Sequence, residues 1–217
     1  ERSMYWVKNL SEIEMLSEEL IELKNIVILE NAVEKIEQTD YTYYEATDKA
    51  VKTETLLSSY TEELDKKAAI IRAVDGLEKE EDIDVLVTGY LKVTGKDTPL
   101  FLSPELPKGM HVKEILSLEY KENIFISMDK ATQVLDVITV EDKDSAIKLK
   151  DLLELSNIKQ GKVYNLVASD GYEVEITGDM IDKGYIYKRS KGGYSLAFEG
   201  MDKQYKVKGI EKIECVK

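Results

Sequence analysis

Apolar and polar residues alternate with a period of two through much of the chain. In YEVEI (172–176), Tyr172, Val174 and Ile176 fall on one side and Glu173 and Glu175 on the other, the pattern of a half-buried strand. NIVILE (25–30), AAIIRAV (68–74), NIFISM (123–128) and KVYNLVA (162–168) read as further strands, and YSLAFEG (194–200), QYKVKG (204–209) and IEKIECV (210–216) as the closing ones. Asp75-Gly76 and Asp170-Gly171 stand where tight hairpin turns are needed, since glycine tolerates positive φ. The period lengthens to three and four in KTETLLSSY (52–60) and KLKDLLELS (148–156), two short helices, and TGDMIDKGY (177–185) reads as one helical turn ended by Gly184. At the start, MYWVKN (4–9) is a strand candidate. LSEIEMLSEELIELKN (10–25) follows as a helix with Ser11 as N-cap, Glu14 at capping-box spacing, and an apolar stripe of Ile13, Leu16, Leu20 and Leu23 that covers the protein's own sheet. Strands with few short helices make the class α+β, β-rich, with mixed sheets.

The pattern repeats. VKTETLL (51–57) matches IKLKDLL (147–153) at an offset of 96, and AVDG (73–76), TGYL (88–91) and HVKEI (111–115) match ASDG, KGYI and KVKGI at 95. Asp84 falls on Asp179 at the same 95, and NIVI (25–28) pairs with NIFI (123–126) at 98. An ordered series at near-constant offset predicts two tandem related domains, 1–120 and 121–217, joined near Tyr120. The join has no Pro/Gly/Ser linker, so the units are expected to pack closely, each with its own core, with Leu56, Leu57, Leu152 and Leu153 buried at matching positions.

Charge narrows the partners. With 43 acidic and 30 basic residues the chain carries a formal −13, which disfavours nucleic acid and anionic membranes. No apolar run is long enough to span a bilayer. A start at Glu1 is the expectation for a trimmed or mature chain, compatible with export and lipid anchoring or secretion. The single Cys215 forms neither an internal disulfide nor a thiolate cluster, and the single His111 limits any Ser-His-Asp triad to one residue. EDKDS (141–145) and EKEEDID (78–84) lack EF-hand spacing and read as solvated turns, and KGGY (191–194) lacks the Lys-Ser/Thr and helix of a phosphate loop. The segment 95–109, which holds Pro99, Pro104 and Pro107, reads as a rigid connection, and Tyr41, Tyr43, Tyr44, Tyr164, Tyr172, Tyr185, Tyr187, Tyr194 and Tyr205 as sheet residues or a tyrosine-lined binding surface.

The stretch IKLKDLLELSNIKQGKVYNLVASDGYEVEITGDMIDKGY (147–185), with its Leu-Leu helix, strand, A-x-DGY turn and acidic capped turn, resembles the molybdopterin-dependent oxidoreductases of the sulfite oxidase type. It is most similar to small divergent versions in exported proteins of Gram-positive bacteria, and residues 51–91 share the resemblance more weakly. The resemblance implies a thiolate ligand to molybdenum before the Leu-Leu helix, but neither 41–57 nor 137–153 contains cysteine, and a carboxylate does not replace a soft thiolate there. His111 and Arg189 are isolated along the sequence and Arg72 lies inside a strand, so the groups that would grip a pterin phosphate look sparse. The expectation is therefore a non-catalytic binding or interaction module of an exported or surface-attached bacterial protein, with an unknown protein or small-molecule partner, no cofactor, no metal and no catalytic residues. An oxidoreductase or carrier retaining a ligand in the inherited pocket is the alternative, and a structural segment of a larger surface protein is a third reading.

Overall fold

The computed structural model describes residues 23–43, 46–141, 143–158 and 163–216. The expected strand at 4–9 and nearly all of the helix over 10–25 lie outside the described residues. Within them, sixteen strands and five short α-helices make an α+β, β-rich fold with mixed sheets. The order is β1 (Asn25–Ile28), α1 (Leu29–Val33), β2 (Thr39–Tyr43), β3 (Ala46–Lys52), α2 (Thr53–Ser58), β4 (Ala69–Ala73), β5 (Glu78–Glu81), α3 (Ile83–Val87), β6 (Tyr90–Lys92), β7 (Leu100–Leu102) and β8 (Ile115–Tyr120). Then come β9 (Asn123–Ile126), α4 (Met128–Val134), β10 (Ile138–Val140), β11 (Lys143–Lys148), α5 (Leu149–Leu155), β12 (Val163–Ala168), β13 (Glu173–Thr177), β14 (Gly184–Lys188), β15 (Tyr194–Phe198) and β16 (Ile210–Val216).

The second series repeats the first element for element, with a 3-10 turn (Gly178–Lys183) in place of α3. Sheet order repeats as well. One eight-stranded sheet runs β13-β12-β16-β1-β9-β8-β4-β5, which reads the same outward from its centre in both directions, and each series adds a four-stranded sheet, β2-β3-β6-β7 or β10-β11-β14-β15. The series meet at the β8–β9 hairpin, yet they do not own separate sheets, because β1 and β9 are parallel neighbours in the middle of the large one.

Their register explains one departure from the sequence reading. Asn25 pairs with Asn123 and Ile26 with Ile124, so the 98-residue match of NIVI and NIFI is the strand pairing itself. Neighbours paired in register present the same face, and Ile26, Ile28, Ile124 and Ile126 all join one core. The two cores nevertheless lie on opposite faces. The first gathers Leu56, Leu57, Ile71, Phe101 and Leu118 with Val27 and Phe125, and the second gathers Leu152, Leu153, Leu166, Leu196 and Ile213 with Ile26 and Ile28. The equivalent of Val27 is thus Ile126, an offset of 99, which also aligns Leu29 with Met128 at the start of α1 and α4. All four predicted leucines are fully buried.

Local chemistry sets the remaining boundaries. Both Asp-Gly turns form, with the Asp75 and Asp170 carboxylates accepting from the backbone N of Leu77 (3.0 Å) and Tyr172 (3.1 Å). NIVILE stops as a strand at Ile28, where α1 begins. QYKVKG is not a strand: Lys203–Tyr205 is a 3-10 turn, and Val207 makes a single bridge to Leu196, as Val112 does to Phe101. Gly184 has ordinary negative φ and opens β14, so it is not a left-handed helix stop. Its role is close approach: a Cβ there would lie 2.8 Å from Leu149 Cδ2, just as one on Gly89 would lie 2.3 Å from the Phe101 ring. Of the two acidic stretches expected as turns, 78–81 is an edge strand and 143–145 begins β11.

The halves interlock through their first helices. The Glu30 carboxylate at the start of α1 accepts from the Ser127 hydroxyl (2.8 Å) and the backbone N of Met128 (3.0 Å) and Asp129 (3.0 Å), capping the orphan donors of α4. Burial raises the Glu30 pKa above its ordinary value even though those three bonds pull it down.

Candidate anion-binding cleft

The β14–β15 hairpin loop, residues 189–193, is held by the other half of the chain. Asn31 in α1 accepts from Tyr194 N (2.9 Å) and donates to the Tyr194 carbonyl (3.0 Å). Gly193 fits beneath it only as glycine: φ is +67°, and a Cβ would stand 2.3 Å from Asn31 Oδ1 and 2.7 Å from Arg189 Nη2. The loop closes on itself through Arg189 N to the Gly193 carbonyl (2.9 Å) and Gly192 N to the Arg189 carbonyl (3.1 Å).

Around this fixed hairpin lies a cleft of about 770 Å³. Six cationic side chains line it, Lys143 from β11, Lys188, Arg189 and Lys191 from the hairpin, and Lys206 and Lys208 from the segment before β16. Serines 145, 190 and 195 and Tyr187 complete the lining, which among the described residues includes no carboxylate. In a chain of net −13, six cations of one sign form a local reversal of the field.

Neighbouring groups neutralise part of that charge. Lys188 Nζ lies 2.6 Å from Asp129 Oδ1, and Arg189 Nη2 is 3.8 Å from Glu34 Oε2. The Asp129 carboxyl sits below its ordinary pKa: burial pushes it up, and the bonds from Lys188 and Tyr194 outweigh that. Lys143 and Lys206 each place an ammonium group within cation–π range of the Tyr187 ring, at 5.3 and 5.6 Å from its centroid. Lys191 and Lys208 meet no carboxylate among the described residues. Arg189 Nε is buried and has no hydrogen-bond partner among them, a donor left open beside the cleft. A phosphate, sulfate or carboxylate would satisfy these donors, with Arg189 offering directed bonds and the lysines point charges.

Sequence reading had left Arg189 isolated, whereas five lysines surround it in the fold. KGGY is indeed no phosphate loop, but its hairpin carries cations into a cluster completed by Lys143, more than 40 positions upstream, and by Lys206 and Lys208 downstream. His111 makes a 3.2 Å contact from Nε2 to the Ser103 carbonyl, and burial lowers its pKa. Tyr164, Tyr185, Tyr187 and Tyr194 are buried, Tyr41 stacks on Tyr90 at 5.4 Å, and Tyr172 is exposed by 43%, so these residues do not form a shared aromatic surface. Tyr44 lies outside the described residues.

The molybdenum cofactor implied by the sequence resemblance does not fit the donor set. Cys215 lies in β16 opposite Tyr164 and lines a cavity with Leu155–Ile158 at the end of α5, not in the segment before the Leu-Leu helix, and burial raises its thiol pKa. Among the described residues no three His, Cys, Asp or Glu side chains group to hold a metal ion, and no helix among them is long and apolar enough to cross a membrane. Comparison of the chain with protein-family models, with characterised proteins and with solved structures gives no match in any of the three.

Proposed function

We propose that the protein is a non-catalytic binding module of an exported or surface-attached bacterial protein, built from two degenerate units of the molybdopterin-oxidoreductase type, and that its second half binds a compact anionic group. The observation that carries this reading is the cleft lined by six cations and, among the described residues, no carboxylate, in a strongly acidic chain. Its size suits a small ligand or one anionic moiety of a larger one. The overall negative field opposes a long polyanion, which extends beyond the cleft and meets repulsion there. The duplicated element order and the missing thiolate support the degenerate-unit part of the reading.

Calorimetric titration with inorganic phosphate, pyrophosphate and citrate at low salt tests the proposal. Lys191→Glu combined with Lys208→Glu is expected to abolish binding, while Lys96→Glu, the same loop position in the first half, leaves it intact. Equal loss in both variants, or no loss in either, overturns the assignment.

A further inference from the structure

A second concavity, independent of the basic cleft, opens where the second half lacks two aromatic rings that the first half has. β8 and β16 correspond at an offset of 95, shown by the pairings Ile71–Leu118 and Leu166–Ile213, and the Leu-Leu helices correspond at 96. Tyr120 is therefore matched by Cys215, and Tyr60 by Ser156. In the first half both rings are built in. Tyr120 is fully buried, and its hydroxyl donates to the Asp65 carbonyl (3.0 Å) and accepts from Asp65 N (3.0 Å). Tyr60 makes a T-shaped contact with Phe125, ring centroids 5.4 Å apart, and donates to Glu211 (2.7 Å). In the second half Ser156 and Cys215 instead line a cavity of about 470 Å³.

This cavity is amphipathic. Leu116, Ile124, Ile126 and Leu155 give it apolar walls, and Ser117, Glu119, Ser156 and Asn157 give it polar ones. Its charges are already paired: Glu119 accepts from Lys24 and from Arg72 (2.8 Å), and Arg72 Nε also donates to Glu78 (2.8 Å). The Ser156 hydroxyl donates to the Leu152 carbonyl (2.7 Å), so its oxygen remains an acceptor. An ion would have to disrupt those pairs to be held, whereas a neutral ring only displaces water from the apolar walls. A cavity of about 150 Å³ is enough for benzene, so this one has room for one or two rings. We infer that the cavity binds a neutral aromatic molecule of the phenol class, its ring in the space that tyrosine fills in the first half and its hydroxyl on the polar wall. The first half shows both parts of that recognition within the chain: a ring against apolar side chains and a phenolic hydroxyl on an oxygen acceptor.

Cys215 reports occupancy, because it lines the cavity. Its reaction with a chromogenic disulfide reagent is followed in the full chain with p-cresol, with 2-naphthol, and with benzoate as an anion of similar size. Only empty protein reacts, so a phenol at about ten times its calorimetric dissociation constant should slow labelling about tenfold, and benzoate should not. Ser156→Tyr, which installs the first-half side chain, should abolish the heat of p-cresol binding while far-UV circular dichroism stays native. If that variant fails to fold, Leu155→Phe fills the same space. Lys191→Glu with Lys208→Glu should leave p-cresol binding unchanged, which separates this cavity from the basic cleft. No protection by either phenol, equal protection by benzoate, undiminished binding in a folded filled variant, or loss of binding in the lysine variant overturns the inference.

Discussion

Two hairpin segments of equal length occupy equivalent places in the two halves, residues 92–100 closing the Leu91–Phe101 pair of β6 and β7 and 187–195 closing the Ile186–Leu196 pair of β14 and β15. The pairings Leu91–Phe101 and Ile186–Leu196 fix their correspondence at an offset of 95. Where the second carries Lys188 and Arg189 the first has Val93 and Thr94, and Lys206 is matched by His111. Lys113 retains the charge of Lys208, but Asp97 holds it at 2.8 Å, and the second half has Gly192 at the Asp97 position. Lys92 is likewise paired with Asp48. Central buried mates stay apolar, as in Leu56 and Leu152, Leu118 and Ile213, and Phe101 and Leu196. One frame thus carries a concentrated cationic site in one half and neutralised charges in the other, because loop side chains change at little cost to the core.

The largest effect that can test this picture is on stability. Leu56→Ala and Leu152→Ala should each cost about 2–5 kcal/mol in urea denaturation, by similar amounts, within one cooperative transition. Two resolved transitions would show that the shared sheet does not couple the halves. Next in size, Glu30→Ala strips the cap from α4 and should cost roughly 1–3 kcal/mol, because two backbone donors and a hydroxyl lose their acceptor.

Glu30 also shapes the pH profile. Its folded pKa lies above 4.5, so the native state binds the proton more tightly than the unfolded chain. Its share of stability is fully present below 4.5 and is lost as pH rises through the raised folded value. A native-minus-Glu30→Gln difference profile should fall over that window, and a flat difference would contradict the burial of the charge.

Smaller still is the gain expected from transplanting charge. Thr94→Arg with Asp97→Gly should give the first half measurable phosphate affinity, roughly tenfold below that of the native cleft, since Val93 and His111 stand there in place of Lys188 and Lys206. Asp97→Asn alone exposes Lys113 and should leave the unfolding midpoint nearly unchanged, as surface pairs contribute little.

Much of the frame was legible from the sequence because turns and buried leucines have local signatures. The Asp-Gly dipeptides, the Leu-Leu helices and the period-two strands each follow from backbone and packing rules acting over a few residues. The cleft was not, because its charge is assembled by topology: residues 143, 188–191 and 206–208 meet only once β11, β14 and the segment before β16 lie side by side, and along the sequence they stand among acidic residues. NIVI and NIFI misled by one position, because the sequence shows likeness without saying whether two like strands are symmetry mates or neighbours. Gly184 was read as a stop because its crowding comes from Leu149 and Phe198, neither adjacent in sequence.

The parallel contact of β1 and β9 has a consequence for how the chain can be divided. Cut in the β8–β9 turn, it would yield two pieces, each with three contiguous strands of the large sheet, a bare edge at β8 or β16, and a first strand, β1 or β9, that pairs only with strands of the other piece. Such an edge is adhesive. Because Asn25–Ile28 and Asn123–Ile126 are so alike, each piece could also accept another copy of itself along that edge. Co-expressed pieces should therefore reassemble into a heterodimer in competition with two homodimers, while either piece alone should be recovered as a pair or an aggregate, a distinction that native mass spectrometry would resolve.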